Sequence, residues 1–440
     1  MSKKGYIISI SIIGIFFFIF GFVTWINSTL IPYLEIACQI NKVQSTLVTF
    51  AFYIAYTIMA LPSSWVLKKT GFKNGMSLGL FIMAIGSLTF LPAASTRIYG
   101  IFLIGLFIMG TGLALLQTAS NPYITILGPR ETAARRISIM GICNKLAGII
   151  ASILLAYIVL NDADRFSENL KLLNEADKVL QLRELASRVL WPYAIISAVF
   201  IVLGFLIRFA PLPNVELEDE PDSEQLPGPE LKKSNILQYP HLILGAVTLF
   251  FYVGIEVIVV DYCGKYGQAI NIPLASSKFF PSLSLFAMIL GYILGILLIP
   301  KIVSQRKLLV SSALSGIIFS LVAIIIPSTL STTIRIIDPI TFSLKSITLP
   351  YTVLFIALLG LSNAIVWPAI WPLAIHGLGK FIKTGSALLI MAIAGGALLP
   401  LLWGYLSDAW GAQNAYWIAV PCYLIILYFA TYGYKVRKWR

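Results

Sequence analysis

Residues 112–148 read GLALLQTASNPYITILGPRETAARRISIMGICNKLAG, and this stretch indicates what class of chain carries it. Both of its ends are apolar enough to cross a membrane, yet they contain Gln117, Asn121, Asn144 and Lys145. A lysine at the centre of a membrane helix costs about 2.5–3.5 kcal/mol on insertion scales, and amide groups are also unfavourable there. We therefore expect these side chains to hold something polar inside the membrane, which indicates transport.

The composition of the whole chain agrees with this interpretation. Of its 440 residues, 58% are hydrophobic and 12% are charged, and the mean hydropathy is +0.88. An ordinary soluble domain is excluded by these values. Apolar runs long enough to span a bilayer recur along the chain. They predict an all-α membrane protein with twelve spans, near residues 7–34, 45–67, 75–94, 98–126, 137–160, 190–209, 240–263, 281–300, 308–326, 350–375, 382–405 and 414–434.

The net charge of +13 reflects membrane topology rather than a nucleic-acid partner. Most cations fall in loops on one side of the predicted spans, and the positive-inside rule places that side, with both chain termini, in the cytoplasm. The residues concerned are Lys3, Lys4, Lys68, Lys69, Lys73, Arg130, Arg135, Arg136, Lys301, Arg306, Lys307, Lys380, Lys383, Lys435, Arg437, Lys438 and Arg440.

The chain divides into two halves of six spans each. Residues 211–239 contain VELEDEPDSEQLPGPELKKS, whose acidic, proline-rich composition is typical of a flexible linker. We predict an N-terminal bundle over 1–210 and a C-terminal bundle over 240–440. A basic loop followed by IMGI at 139–142 recurs as a basic loop followed by IMAI at 390–393. Such internal repeats are common in transporters, where they build a site near the membrane midplane.

The repeat is not matched in its polar residues. Asn144 and Lys145 stand opposite Gly395 and Gly396, so the polar pair belongs to one half only.

The loop at 161–189 carries Leu170, Leu173, Leu180 and Leu185 at helical spacing, which predicts a surface helix.

A hydroxylated ligand taken out of water needs a replacement partner for each hydroxyl, and aromatic rings can cover its apolar C–H face. The predicted substrate-binding residues are the polar and aromatic side chains at mid-span, namely Trp25, Asn27, Gln117, Asn121, Asn144, Lys145, Glu256, Asn363 and Trp367. The alternatives are interhelical hydrogen bonding for the amides and lipid-facing or packing roles for the tryptophans.

Two ionisable side chains have alternatives of their own. Lys145 lies nine residues beyond Arg136, or about 13 Å along a helix, so we expect it to face the bundle rather than to extend to the membrane edge. Asp261 lies nearer the outer end of the seventh span than Glu256 does, and it could instead sit at the outer water boundary.

Enzymatic and metal-binding functions find no support in the sequence. The two histidines and four cysteines show no metal-ligand spacing, and there is no nucleophile elbow or phosphate-binding loop. We expect no cofactor and no metal, with an ion gradient as the energy source. Cys38 and Cys263 fall near the same ends of spans one and seven, so a disulfide between them is an alternative to two separate thiols.

Several segments resemble sugar permeases of the major facilitator superfamily, in particular the fucose–galactose–glucose symporter family. They are GFVTWINSTLIP at 21–32, QTASNPYITILGP at 117–129, ISIMGICNKLAG at 137–148, FYVGIEV at 251–257, NAIVWPAIWPLAIHGLGK at 363–380 and SALLIMAIAGGALLPLLWGYLSD at 386–408. The resemblance implies twelve helices in two pseudo-symmetric six-helix bundles, alternating access, and a monosaccharide carried with a cation. It also implies a bacterial cytoplasmic (inner) membrane location, with the lipid bilayer and the sugar as partners, and we expect a monomer.

The chain departs from the fucose permeases of this family where coupling is expected. Those proteins have an Asp at the position of Ser28 and a Glu at the position of Gln117, and neither residue present here can release a proton near neutral pH. Lys145 instead becomes the leading coupling candidate, facing Glu256 or Asp261 across the cavity. The coupling candidates are therefore Ser28, Lys145, Glu256 and Asp261, with H⁺ or Na⁺ as the co-transported ion.

The sequence as a whole predicts alternating-access transport of a glucose-, galactose- or fucose-like hexose, coupled to a cation. The alternatives are an uncoupled sugar uniporter, a carrier of an N-acetylated sugar, and a membrane sensor that binds sugar without moving it.

Overall fold

The structure, a computed structural model, describes residues 3–127, 132–160, 162–170, 172–209, 235–299, 302–337 and 343–439. Within these residues eleven helical segments are long and apolar enough to cross a membrane. One of them, Val43–Thr96, has 54 residues and is too long for a single crossing. The number of membrane crossings therefore depends on whether that segment crosses once or twice.

The helix Leu47–Leu88 folds back on itself at Gly71. Its 42 residues would be about 63 Å long if straight, or about twice the hydrocarbon thickness of a bilayer. Gly71 has φ 75° and ψ 169°, a conformation that glycine adopts without a steric penalty. Beyond it, Gly75 packs against Leu67, which residues eight apart in a straight helix could not do. The described residues thus form twelve crossings, as the sequence predicts.

Spans 1 to 6 make up the first half and spans 7 to 12 the second. The first half consists of Lys3–Trp25 with Asn27–Ala37 (span 1), Leu47–Leu88 with Phe90–Thr96 (spans 2 and 3), Tyr99–Ile126 (span 4), Ala133–Val159 (span 5) and Leu190–Phe209 (span 6). The second consists of Pro240–Asp261 (span 7), Phe280–Leu298 (span 8), Gln305–Ile325 (span 9), Tyr351–Asn363 with Val366–Ile375 (span 10), Ile382–Met391 with Gly395–Trp410 (span 11) and Ala419–Thr431 (span 12).

Several spans are broken near their middle. Span 10 breaks at Ala364 and Ile365, one turn before Pro368. Because proline has no N–H to donate to the carbonyl four residues earlier, which is that of Ala364, the break follows from the sequence. Span 11 narrows to a 3₁₀ turn at Ala392–Ala394. Broken spans of this kind expose backbone groups only where protein or a cavity can satisfy them.

Short elements connect the spans. They are the helices Lys42–Ser45, Ala163–Leu170, Glu175–Ser187, Cys263–Ala269 and Leu274–Ser277, the 3₁₀ turns Ile236–Gln238, Gly379–Phe381, Asn414–Ile418 and Gly433–Lys435, and the strands Ser331–Ile337 and Leu344–Pro350. The predicted linker at 211–239 lies outside the described residues except for 235–239, which hold the first of those turns.

The two strands form an antiparallel hairpin in which Ile334 faces Ile347, and this hairpin is not among the predicted elements. Ile347 and Leu349 are buried, so the alternation of apolar and polar residues could have revealed it. The loop at 161–189 is also richer than predicted, with two helices in place of one. Leu182 and Leu185 are buried there, whereas Leu180, one of the four leucines at the predicted helical spacing, is 68% exposed.

The two halves share one helix–helix contact, in which the glycine and the larger residue exchange places between the two helices. In the first half, Gly21 of span 1 lies against the backbone of Asn144 of span 5. In the second half, Gly395 of span 11 lies against the backbone of Phe250 of span 7. Since Gly395 is the repeat counterpart of Asn144, the close approach is kept while the glycine moves to the other helix.

The exchange recurs one turn further along. Gly148 of span 5 lies against the ring of Trp25, and Gly254 of span 7 lies against Leu399 of span 11. In one half the large side chain belongs to the first helix of the pair, and in the other half to the second. Only the first half therefore presents a tryptophan at this crossing.

With twelve crossings, both described ends of the chain lie on one face of the bundle, which we call the terminal face. The strands Ser331–Ile337 and Leu344–Pro350 join spans 9 and 10 on the opposite face, which we call the hairpin face.

Candidate functional site

An ion pair joins the two halves in the middle of the bundle. Lys145 Nζ of span 5 lies 2.8 Å from Glu256 Oε1 of span 7, and the two residues are 4% and 7% exposed. The prediction that Lys145 faces the bundle is confirmed, and of the two carboxylates it was expected to face, Glu256 and Asp261, its contact is with Glu256. The alternative in which Lys145 extends to the membrane edge is wrong. A buried pair is stable only with good geometry, and losing either partner leaves an uncompensated charge.

Trp25 forms one wall of the site. Its ring lies 4.0 Å below Lys145 Nζ, a cation–π contact, and its indole Nε1 donates a hydrogen bond to Asn144 Oδ1 at 2.9 Å. Asn144 Nδ2 in turn donates to the backbone carbonyl of Phe17 at 3.3 Å. Gly148 leaves room for the ring. Four of the predicted site residues, including Glu256, are therefore brought together.

Aromatic side chains form a second wall on the other half. Trp367 stacks on Trp371 with ring centroids 5.3 Å apart and an interplanar angle of 28°. Tyr252, one helical turn before Glu256, places its ring 6.5 Å from that of Trp367. The apolar face of a bound molecule could lie against such rings. Tyr252 is not among the predicted site residues, although its spacing of four from Glu256 places both on one helix face.

Gln117 and Asn121 belong to the wall formed by span 4. Gln117 Nε2 donates to the hydroxyl of Tyr56 on span 2 at 3.1 Å, and Asn121 is 4% exposed. Gln117 therefore contacts span 2 rather than the Lys145–Glu256 pair.

Asn363 is hydrogen-bonded to span 12 within the second half. Its Oδ1 accepts a hydrogen bond from the Tyr423 hydroxyl at 2.8 Å, and the Tyr423 ring packs against Gly316 of span 9. The carbonyl oxygen of this amide thus ties span 10 to span 12. Its acceptor is therefore used in packing within the second half, while its Nδ2 donor has no hydrogen-bond partner among the described residues.

The polar residues after Trp25 serve the break in span 1. Ser28 Oγ donates to the carbonyl of Trp25 at 2.8 Å and lies 3.0 Å from Ser152 Oγ of span 5. This hydroxyl satisfies a backbone carbonyl of the broken helix and joins that helix to span 5. Asn27 is fully buried, and its side-chain amide has no hydrogen-bond partner in the described part of the chain.

Asp261 is buried rather than placed at a water boundary. The residue is 1% exposed, and neither carboxyl oxygen has a hydrogen-bond partner among the described residues. It lies within electrostatic range of Lys145 and Glu256. The alternative that put it in contact with outer water is therefore wrong for this conformation.

Contacts between the halves close the hairpin face. Lys265 Nζ lies 2.7 Å from Glu35 Oε1 and donates to Ser45 Oγ at 2.6 Å. The hydroxyls of Thr49 and Tyr262 are 2.8 Å apart. These contacts join spans 1 and 2 to the end of span 7.

A further contact on this face comes from the loop between spans 5 and 6. The carboxylate of Asp164 accepts hydrogen bonds from the backbone N–H groups of Leu274 and Ala275, at 3.0 and 2.8 Å. The negative charge at the first turn of Leu274–Ser277 satisfies donors that have no partner within that helix.

Contacts between the halves also close the site on the side of the terminal face. Gly141, one turn before Lys145, lies against the ring of Tyr292 of span 8. Thr57 Oγ1 donates to the carbonyl of Met391 on span 11 at 3.4 Å. The Lys145–Glu256 pair is thus enclosed from both faces, as its low exposure requires.

The remaining titratable groups do not form a metal or disulfide site within the described residues. No cluster of three His, Cys, Asp or Glu side chains there is arranged to hold a metal ion. Cys38 and Cys263 are separate thiols, so the alternative disulfide is wrong.

Comparisons with known proteins agree with the architecture. Residues 13–392 match the sequence profile of the Major Facilitator Superfamily. The chain is 33% identical to a glucose/galactose transporter of Brucella abortus, covering 99% of this chain and 96% of that one. It is 30% identical to a putative glucose/galactose transporter of Helicobacter pylori over the full length of both chains. An L-fucose-proton symporter of Escherichia coli is 27% identical, with 98% and 94% coverage.

A solved structure is similar along nearly the whole chain. The crystal structure of the transporter FucP in the outward conformation has a TM-score of 0.75 and 26% sequence identity, covering 99% of this chain and 100% of that one.

Proposed function

The chain belongs to the major facilitator superfamily, and on that premise we propose that it carries a monosaccharide of the glucose and galactose type across the membrane by alternating access. The observation that carries the proposal is the Lys145–Glu256 pair, which spans the two halves at 2.8 Å in the enclosed centre. The relatives named for glucose and galactose support this class of substrate.

The pair can bind a sugar when the halves separate. Because Lys145 belongs to span 5 and Glu256 to span 7, any rocking of one half against the other stretches the Nζ–Oε1 contact. A sugar hydroxyl donates one hydrogen bond and accepts others, so it can replace the partner that each charge loses. Hydrogen bonds to ionised groups are stronger than those between neutral groups, which favours a hydroxylated ligand.

The walls of the site fit the other surfaces of a hexose. Trp25 and Trp367 offer ring faces on opposite halves, suited to the apolar C–H faces of a sugar ring. Asn144 holds the Trp25 indole through its Oδ1. The site therefore combines charged hydrogen-bonding groups with flat apolar walls.

Topology and coupling follow from the same premise. We place the terminal face in the cytoplasm, because the cations at Lys68, Lys69 and Lys73 lie near the turn at Gly71 on that face. Bacterial relatives support a location in the cytoplasmic membrane. The relative named a proton symporter supports a proton as the co-transported ion. Uncoupled transport is the second candidate, favoured by Ser28 and Gln117, which do not titrate.

A counterflow assay tests the proposed substrate. Purified protein in liposomes preloaded with unlabelled sugar is given labelled glucose, galactose, fucose or N-acetylglucosamine outside. We expect a transient overshoot of label with glucose or galactose, and a smaller one or none with the N-acetylated sugar. Absence of counterflow with every monosaccharide would contradict the proposed function.

A further inference from the structure

Asp261 is a buried carboxyl group that the sugar site does not use. It is the last residue of span 7, five residues beyond Glu256, or about 7.5 Å toward the hairpin face. Its two oxygens have no hydrogen-bond partner in the part of the chain that the structure describes, and the residue is 1% exposed. A polar group in this situation requires an explanation.

The positive charge near Asp261 is not enough to neutralise two carboxylates, its own and that of Glu256. The groups within its electrostatic range are Lys145 on span 5, Tyr53 on span 2, and Glu256 and Tyr262 on its own segment. Lys145 is the one cation of this set, and it is already bonded to Glu256 at 2.8 Å. One lysine facing two carboxylates would leave a net negative charge in a dry interior, which is strongly unfavourable. A protonated Asp261 leaves the group neutral.

The contacts that close the hairpin face are the ones that bury Asp261. The next residue, Tyr262, shares a hydrogen bond with Thr49 of span 2. Three residues further, Lys265 is paired with Glu35 of span 1. Opening the halves on this face breaks both contacts at the end of span 7 and admits water to the carboxyl group. The protonation of Asp261 is therefore tied to the closure of this face.

We propose that Asp261 is the site of the co-transported proton, taking it up from the hairpin-face solution as that face closes and releasing it to the terminal-face solution when opening of that face separates the halves around Lys145 and Glu256 and admits water to the carboxyl group. The step is a simple protonation of the carboxylate, with no other bond formed or broken. It rests on the proposed sugar transport, because a proton that enters without sugar would dissipate the gradient.

The variant Asp261→Asn tests proton coupling separately from sugar transport, because its amide mimics the protonated carboxyl group in every conformation. We expect this variant to keep sugar counterflow, which needs no net proton movement, and to lose accumulation driven by a pH gradient or membrane potential. For the unmodified protein, one co-transported charge supports about 50-fold accumulation per 100 mV; for the variant the ratio falls to about 1, the equilibration limit of an uncoupled carrier. Asp408→Asn, at an exposed aspartate of span 11, is the matched control and keeps both activities.

An infrared measurement tests protonation without reference to any sugar. The unmodified protein should show the carbonyl band of a protonated carboxylic acid that Asp261→Asn lacks and Asp408→Asn retains. Gradient-driven accumulation in Asp261→Asn, loss of its counterflow with the fold intact, absence of the infrared band, or accumulation driven by Na⁺ in place of a pH gradient would each overturn the proposal. Absence of counterflow in the unmodified protein would instead contradict the sugar transport on which the proposal rests.

Discussion

Lys145 on span 5 and Glu256 on span 7 form a buried ion pair, with Nζ and Oε1 2.8 Å apart, that connects the two halves of the bundle at its enclosed centre. A second ion pair between the halves, Lys265 with Glu35, lies on the hairpin face. The Lys145–Glu256 pair is thus both a structural contact and the group that a sugar would have to replace.

The first prediction concerns the stability that the pair provides. Lys145→Met or Glu256→Gln alone leaves its partner buried without compensation, which costs about 3–5 kcal/mol. The double variant removes both charges, and a buried pair replaced in this way is often close to neutral for stability. Thermal unfolding of the purified variants should therefore place the double variant nearer the unmodified protein than either single one. Additive losses would show that the two residues do not act as a pair.

The second prediction concerns the position of Trp25. In Gly148→Ala the new Cβ would come within 2.6 Å of Trp25 Cδ1, so the ring must move away from Lys145 and Asn144. Loss of the cation–π contact, of about 1–2 kcal/mol when desolvated, should weaken sugar binding by about 10-fold. Gly100→Ala is the control, because nothing lies within 4 Å of its new Cβ. Equal affinity for the two variants, measured by labelled-sugar binding, would contradict a positioning role for Gly148.

The third prediction separates two asparagines. Asn363 accepts from Tyr423 within the second half, so Asn363→Ala should lower stability by about 1–3 kcal/mol and leave the sugar Kd almost unchanged. Asn144→Ala releases the indole of Trp25 and should raise the sugar Kd several-fold. Parallel unfolding and binding measurements on both variants check this split. A larger loss of affinity in Asn363→Ala would return that residue to the sugar site.

The fourth prediction concerns closure of the hairpin face. Glu35→Lys places two cations together where Lys265 and Glu35 now pair, and should favour opening on that face by about 5-fold or more. Adding Lys265→Glu restores an attractive pair and should reverse much of this change. The readout is labelling of Gln268→Cys, in a protein without its four native cysteines, by a thiol reagent that cannot cross membranes. Equally fast labelling in all variants would show that the Lys265–Glu35 pair does not hold the hairpin face closed.

The spans were predictable because length and hydropathy suffice to recognise a membrane helix. The direction of Lys145 was also predictable, because a lysine this far from the membrane edge is expected to face the bundle interior. The direction of Asn363 was not, because span 10 is apolar on all sides and its sequence does not distinguish the face toward span 12 from the face toward the centre. The burial of Asp261 depends on contacts between residues more than 200 positions apart, such as Thr49 with Tyr262.

The hairpin at Ser331–Ile337 and Leu344–Pro350 was missed for a different reason. Its alternating pattern is present in the sequence, but the predicted spans leave this stretch as a connection between them. Leu180 has the helical spacing that predicts a surface helix, but it is exposed, and Leu182 is buried. In both cases the local signal allowed more than one arrangement, and packing against the spans decided between them.

The most direct test of the account is counterflow of labelled glucose and galactose by the double variant Lys145→Met, Glu256→Gln in liposomes, beside the exposed control Lys68→Met. We predict that the control shows the overshoot of the unmodified protein and that the double variant, although folded, shows none. Counterflow by the double variant at the rate of the unmodified protein would contradict the claim that the sugar passes through this ion pair.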